Sequence, residues 1–460
     1  MLSRRNFLSH SCSLGVASAT LGSSLLQLGL ARHAAAQSAT GYRALVCILL
    51  AGGNDSYNML VPVDDDQHRE YSLLRSDLAL DQSSLLTLPG TSSAGRRYGV
   101  HPGMQGVREL YGSGDLAMVA NVGTLLEAFN SSAFDSGSAR LPLGLFSHAD
   151  QINQWQTAKP DARIAQGWAG RMADILQDVN LANGVSMNIS LSGTNVYQSG
   201  NTISEYSVSP EGDGAVGIES YDDGSEFGDL RKRMVDSLVN ARQRHIFRAE
   251  YNRRLSESIA AQAVFVGALA SSPTLTTTFS GNPLSQSLRQ VARIIGARSS
   301  LGAARQTFFI TLGDWDHHDD VIEKQAVMLP QVSAALQEFR NALVELAVVD
   351  DVTTFTSSDF GRTLTSNGKG SDHGWGGHHM VMGGSVEGGQ IVGEYPELRA
   401  NNPLDVGRGV YAPTLSVDEY FAELALWFGV ARSDLVEVLP NIGSFNSPQS
   451  SSPPVGFLRA

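Results

Sequence analysis

Only two cysteines occur in 460 residues, so an internal disulfide framework is excluded. Cys12 lies in the N-terminal stretch described below, and Cys47 sits inside the apolar run Ala44-Leu45-Val46-Cys47-Ile48-Leu49-Leu50. There it reads as a small buried hydrophobe rather than a thiolate nucleophile. Charged residues are scarce at 17% while 42% are hydrophobic, which excludes a chain disordered throughout. Basic residues are in deficit, 33 Lys+Arg against 46 Asp+Glu, for a formal net charge of −13. That balance argues against nucleic acid as a partner, because phosphate-backbone binding needs clustered Lys and Arg. A small anionic substrate stays open, since a metal or local positive pocket reverses the field at one site. The 47 glycines follow no period and heptads are not sustained, which removes collagen-like and coiled-coil architectures. There is no Walker loop, no Rossmann fingerprint, no Gly-x-Ser-x-Gly elbow and no His-Glu-x-x-His pair.

Residues 1–36 contain no Asp or Glu but carry Arg4, Arg5 and Arg32, and without them the net charge falls to −16. The run Ser3-Arg4-Arg5-Asn6-Phe7-Leu8, a modest apolar stretch and Ala34-Ala35-Ala36 make an export signal of the twin-arginine type. The mature chain is then expected to begin near Gln37, to meet the twin-arginine export machinery and to be periplasmic. No further apolar run of spanning length follows position 40, so no membrane span is expected in the mature chain.

Short apolar runs at 43–51, 117–122, 185–191, 307–312, 352–356 and 380–382 read as strands, several of them buried on both faces. Helical patterns cover 101–113, 167–179, 228–270, 284–297, 329–347 and 416–428, the last opened by a Ser416/Glu419 capping box. Residues 193–227 read as irregular. Alternating strands and helices favour an α/β fold with a largely parallel sheet. With no clean linker, 37–443 is expected to be one domain with insertions, followed by a loose Pro/Ser-rich tail at 444–460.

The polar residues are placed informatively. Three of the buried strands run into Asn54-Asp55, into Asp314/Asp316/His317/His318 and into Asp359. A fourth cluster follows at Asp372-His373, with His378-His379 just beyond. Open α/β sheets bind ligands at the carboxyl ends of their strands, so segments remote in sequence can converge. Six of the 11 histidines, at 148, 317, 318, 373, 378 and 379, lie near Asp, Gly or Ser. Imidazole with carboxylate is the ligand set of zinc, manganese or iron, which points to a divalent metal ion as cofactor. Ser147, ahead of a helix running through Trp155, reads either as an N-cap or as a nucleophile at a helix N-terminus.

The leader followed by Leu49-Leu50-Ala51-Gly52-Gly53-Asn54-Asp55-Ser56-Tyr57-Asn58 resembles the exported domain-of-unknown-function 1501 family. So do Phe146-Ser147-His148-Ala149-Asp150-Gln151, Gly313 to His318, Ser358-Asp359-Phe360-Gly361-Arg362-Thr363 and Asp372-His373-Gly374. The resemblance places the chain in the alkaline phosphatase/sulfatase superfamily. It implies a three-layer α/β/α sandwich with a mostly parallel central sheet. Carried over by position, Asp55, Asp316, His318, Asp359 and His373 would be metal ligands and Ser147 would stand nearest the nucleophile. Arg362 would hold the oxygens of the transferring group, or form an ordinary salt bridge. Three departures stand out. Phe360 replaces an expected imidazole, His317 stands where the family has Thr, and Asp359 is shorter than the family's usual Glu. The resulting expectation is an exported, metal-dependent hydrolase of a small phosphate or sulfate ester. The alternative is a non-catalytic exported binding or assembly protein that keeps part of the metal site.

Overall fold

A computed structural model describes residues 41–459, apart from 93, 181–183, 213, 215, 216, 219, 220, 222, 400, 401, 448 and 449. The expected leader, and with it the expected start at Gln37, lies outside the described residues. Among those described, nine strands form one sheet: β1 Arg43–Leu50, β2 Leu116–Gly123, β3 Asn188–Ser190, β4 Tyr206–Ser207, β5 Arg305–Leu312, β6 Val352–Ser358, β7 Gly377–Met382, β8 Ile391–Gly393 and β9 Leu415–Ser416. Their spatial order is β8-β2-β7-β6-β1-β5-β3-β4, with β9 pairing to β2. The pairings are parallel except those that β7 makes with β2 and β6.

The helices that matter here are α1 Asp65–Arg75, α2 Gln105–Ser113, α3 His148–Thr157, α4 Trp168–Leu176, α5 Glu226–Asn240, α6 Ile246–Ala270, α7 Pro283–Gly296, α8 Val321–Glu345 and α9 Val417–Phe428. The alternation along β1 shows why they form two layers. Ala44, Val46, Ile48 and Leu50 pack into one core with Val107 of α2, Leu288 and Ile295 of α7, and Leu336 and Phe339 of α8. Leu45, Cys47 and Leu49 point the other way, into a core with Trp155 of α3, Trp168 and Met172 of α4, and Phe421 and Phe428 of α9. A strand covered on both faces needs both sets apolar, and each fully buried large side chain contributes about 1.5–3 kcal/mol. The expected three-layer sandwich with a mostly parallel sheet is thus the observed fold. Cys47 is buried within it, and burial pushes its thiol up to about 12.

Several boundaries differ from expectation for identifiable reasons. The helical stretch expected at 228–270 is two helices. Asn252 of α6 donates to the Leu238 carbonyl at 2.7 Å and so satisfies the end of α5. Helix α8 begins at Val321, before the expected 329, and carries Pro330 in its interior. Ser416 does open α9 with the expected capping box. The tail, expected to be loose, ends docked. Glu423 of α9 accepts from the backbone amides of Val455, Gly456 and Leu458 at 2.6–2.7 Å, and Phe457 is fully buried.

Candidate metal centre

Parallel strands in register set the site. Leu50 lies opposite Leu312 on one side and Ser358 on the other, so β1, β5 and β6 deliver their following loops to one edge. The chain leaves β1 through Gly52 and Gly53, at φ +120° and +83°. A Cβ on Gly52 would lie 2.5 Å from the Asp316 backbone nitrogen, and one on Gly53 would lie 2.5 Å from the Phe360 ring. Glycine is therefore required twice, by conformation and by close approach.

Four of the anticipated residues gather here: Asp316 after β5, His318 two residues on, Asp359 after β6, and His373 on the second strand of the hairpin 362–366/371–373. His148, the first residue of α3, completes the group. His148 Nε2 lies 3.0 Å from His373 Nε2, and His318 Nε2 lies 2.9 Å from the same atom. The Asp316 carboxylate is 3.1 Å from His318 Nε2, 3.6 Å from His148 Nε2 and 3.7 Å from His373 Nε2. Each ring is held from behind through its other nitrogen. His148 Nδ1 meets Asp359 at 2.7 Å, His318 Nδ1 meets Asp372 at 3.3 Å, and His373 Nδ1 meets the Phe146 carbonyl at 2.8 Å.

This geometry tests whether a cation fits. The Phe146 carbonyl can only accept, so His373 carries its proton on Nδ1 and turns a lone pair outward from Nε2. The other two Nε2 atoms converge on that lone pair, beside a carboxylate. A cation between them turns repulsion into ligation, and ligand bonds of about 2 Å bring neighbouring ligand atoms to about 3 Å of one another. Oxygen acceptors behind metal-bound imidazoles are the usual orienting device. Ligand atoms of His148, Asp316 and His373 all lie within 4.8 Å of one another. The residues fit a divalent metal ion.

Other anticipated residues do different work. Asp359 uses both oxygens, accepting from the Gly52 amide at 3.0 Å and meeting His148, so it orients a ring. Burial holds its carboxyl above the ordinary range, with the His148 bond opposing. Arg362 is fully buried and commits its guanidinium within the protein. It donates to the carbonyls of Gly53 at 2.8 Å, Gly52 at 2.7 Å and Ser371 at 2.5 Å, and to the Asp316 carboxylate. Burial is the largest influence on Asp316 and would raise it, but Arg362, His318 and His148 together hold the carboxyl below its usual range.

Asp55 departs from the expected ligand set. It is wholly buried, with Oδ2 accepting from Arg75 at 2.5 Å and from the Ser371 hydroxyl at 2.6 Å. A carboxylate at such a depth needs a countercharge, and Arg75 of α1 supplies it. Ser147 caps α3, its hydroxyl accepting from the Asp150 amide at 3.5 Å. His317, His378 and His379 are buried, and burial pushes them down to about 4, 3 and 3.

Reading strand ends alone passes over His148 as a ligand, because it follows a helix cap. The signal is its place in Phe146-Ser147-His148, directly after the candidate Ser147. Phe360, where an imidazole was expected, packs its ring 4.8 Å from His148 and 4.7 Å from His373. It supports two of the three imidazoles instead of supplying a fourth.

No curated protein matches the chain. Among solved structures, Ps i-CgsB aligns at 9% identity over 90% of this chain and 78% of its own, with a TM-score of 0.33. Its complex with k-i-k-neocarrahexaose gives 8%, 89%, 78% and 0.31. BT1596, a 2-O GAG sulfatase, aligns at 9% identity over 76% of this chain and 66% of its own, with a TM-score of 0.26. Residues 218–432 match the family model described as Protein of unknown function (DUF1501), and the resemblance read from the motifs is borne out by that match.

Proposed function

We propose that the chain is an exported, metal-dependent hydrolase of phosphate or sulfate esters. One observation carries this reading. Three imidazoles, each oriented through Nδ1, turn Nε2 toward one point beside the Asp316 carboxylate, at the edge where parallel strands end. His148, Asp316, His318 and His373 would hold the ion. A bound divalent ion would neutralise charge on the ester oxygens and lower the pKa of an attacking oxygen. The chain's own residues set the geometry: Asp359, Asp372 and the Phe146 carbonyl fix the rings, and Arg362 keeps Asp316 ionised. Ser147 stands next to two of these groups and is the candidate nucleophile, although its hydroxyl is engaged in capping.

The test is metal content together with turnover of aryl phosphate and aryl sulfate. His318→Ala is expected to lose metal and activity together. Ser147→Ala is expected to keep the metal, losing turnover if its hydroxyl attacks and losing little if water does. Full activity of His318→Ala with metal still bound would overturn the reading.

Arg362 favours a second reading. Four of its donor contacts are spent inside the protein, so it is not free to clamp a transferring group. An exported binding or assembly protein that retains the ion would show full metal occupancy and no turnover of any ester. Export itself is tested at Arg4-Arg5. Replacing both with Lys is expected to leave the precursor in the cytoplasm, and unchanged processing would refute the twin-arginine route. Among the described residues no helix is long and apolar enough to cross a membrane.

A further inference from the structure

A cavity of about 490 Å³ opens directly beside the cluster, with His318 and His373 in its lining. The rest of its wall is the apolar set Phe134, Phe146, Val406 and Val410, together with Thr363, Gly407 and the Asp372–Arg408 ion pair. This wall is backed by packed residues. Phe134, Val406 and Val410 belong to a small core around Trp375, in which Phe129 lies 5.9 Å from both the Phe134 and Trp375 rings.

Backbone conformation marks the same cavity. Phe146 is held at φ +73°, which a bulky side chain rarely adopts, and its side chain stays 37% exposed. The conformation serves two ends, since the carbonyl meets His373 Nδ1 while the phenyl lines the cavity. Arg408 is also left-handed, at φ +58°, between Gly407 and Gly409. Asp405 Oδ1 fixes this turn by accepting from the amides of Gly407 at 2.9 Å and Gly409 at 3.1 Å. The Arg408 guanidinium then reaches Asp372, the carboxylate behind His318. Two non-glycine residues held left-handed at one cavity represent conformational cost concentrated at a functional position.

We infer that this cavity receives the apolar, ring-sized alcohol part of an ester whose anionic group meets the histidine cluster, the inference resting on the hydrolase reading above. The substrate class is a phosphate or sulfate monoester of an aryl or comparably apolar alcohol. Water added across the ester bond would release that alcohol in the cavity and inorganic phosphate or sulfate at the cluster. A long polyanion is disfavoured. Asp316 itself lines a second cavity, of about 650 Å³, with Asp314, Asp320 and Glu323, and Lys324 as the sole base. Repeated negative charge would meet repulsion there.

The test uses the metal-loaded full chain and two variants outside the cluster, Phe134→Ala and Val406→Asp. Calorimetry compares 2-naphthylphosphonate with methylphosphonate, and kinetics compares the corresponding phosphate and sulfate esters. Wild type is expected to bind the naphthyl ligand at least about tenfold more tightly, as burial of one aromatic ring would give. Each variant is expected to lose about that factor in Kd and KM for the naphthyl compounds. Each should leave the methyl compounds and the metal content unchanged. If small esters turn over but naphthyl and methyl ligands bind alike, the cavity assignment falls and the hydrolase reading stands. Variant-sensitive naphthyl binding without turnover of any ester would uphold the cavity and remove the hydrolase. Neither binding nor turnover in metal-loaded protein would overturn both.

Discussion

At the scale of single residues, the cluster separates groups that touch an ion from groups that aim them. Asp359 belongs to the second kind, because its two oxygens already meet the Gly52 amide and His148 Nδ1. Removing its charge while keeping its shape should therefore weaken metal binding without abolishing it. Asp359→Asn is expected to lower metal affinity by about 10–100-fold, the usual range for orienting partners of ligand histidines. Competition with a chelating dye measures this, and an unchanged affinity would refute the orienting role. The sequence exposes Asp359 as a polar residue beyond a buried strand, which was enough to place it at the site. It does not say which lone pair meets which proton. Asp55 illustrates the same limit, since its strand-end position matches a ligand's while its partner, Arg75, is set by the packing of α1. His148 was harder to see, as nothing in a helix start distinguishes a ligand from a cap neighbour.

Among elements, the turn after β1 couples fold to site. Gly53 stands at φ +83° with the Phe360 ring where a Cβ would go, and that ring supports His148 and His373. Gly53→Ala is expected to cost about 2–4 kcal/mol, from the left-handed backbone and overpacking together, and to reduce metal occupancy. Gly90 provides the control. Its φ is +82°, but nothing lies within 4 Å of a Cβ there, so Gly90→Ala should cost only the backbone share and leave metal binding intact. Denaturant melts and metal analysis of both variants decide the matter, and equal costs would remove the packing argument. Elements with strong apolar continuity, β1, β2, β5 and β6, were legible because burial on both faces imposes one kind of side chain. Helix α1, Asp-Asp-Gln-His-Arg-Glu-Tyr-Ser-Leu-Leu-Arg, was not, because only His68, Tyr71 and Arg75 are buried. The 362–366/371–373 hairpin escaped as well. Its pairing depends on tertiary partners, with the Ser371 amide bonding the His317 carbonyl at 3.1 Å.

For the molecule as a whole, the second helical layer holds one group whose burial works against the folded state. Asp418, in the first turn of α9, is fully buried, and burial raises its carboxyl from 3.8 to about 7, with a smaller opposing pull from Asn441. A folded-state pKa above the unfolded value means that the folded protein prefers the protonated form. The stability this gives is complete below about pH 4 and is lost as pH rises through about 7. A gap of about three pKa units corresponds to about 4 kcal/mol across that window. Asp418→Asn imitates the protonated carboxyl at every pH. It should therefore gain little over wild type at pH 4 and several degrees of Tm at pH 8. The same helix anchors the C-terminal tail through Glu423, whose three backbone bonds do not pass through Asp418. A Tm gain independent of pH would locate the effect in packing and contradict the buried charge. A gain that grows from pH 5 to pH 8 would show that this layer carries an ionised carboxylate at neutral pH at the expense of stability.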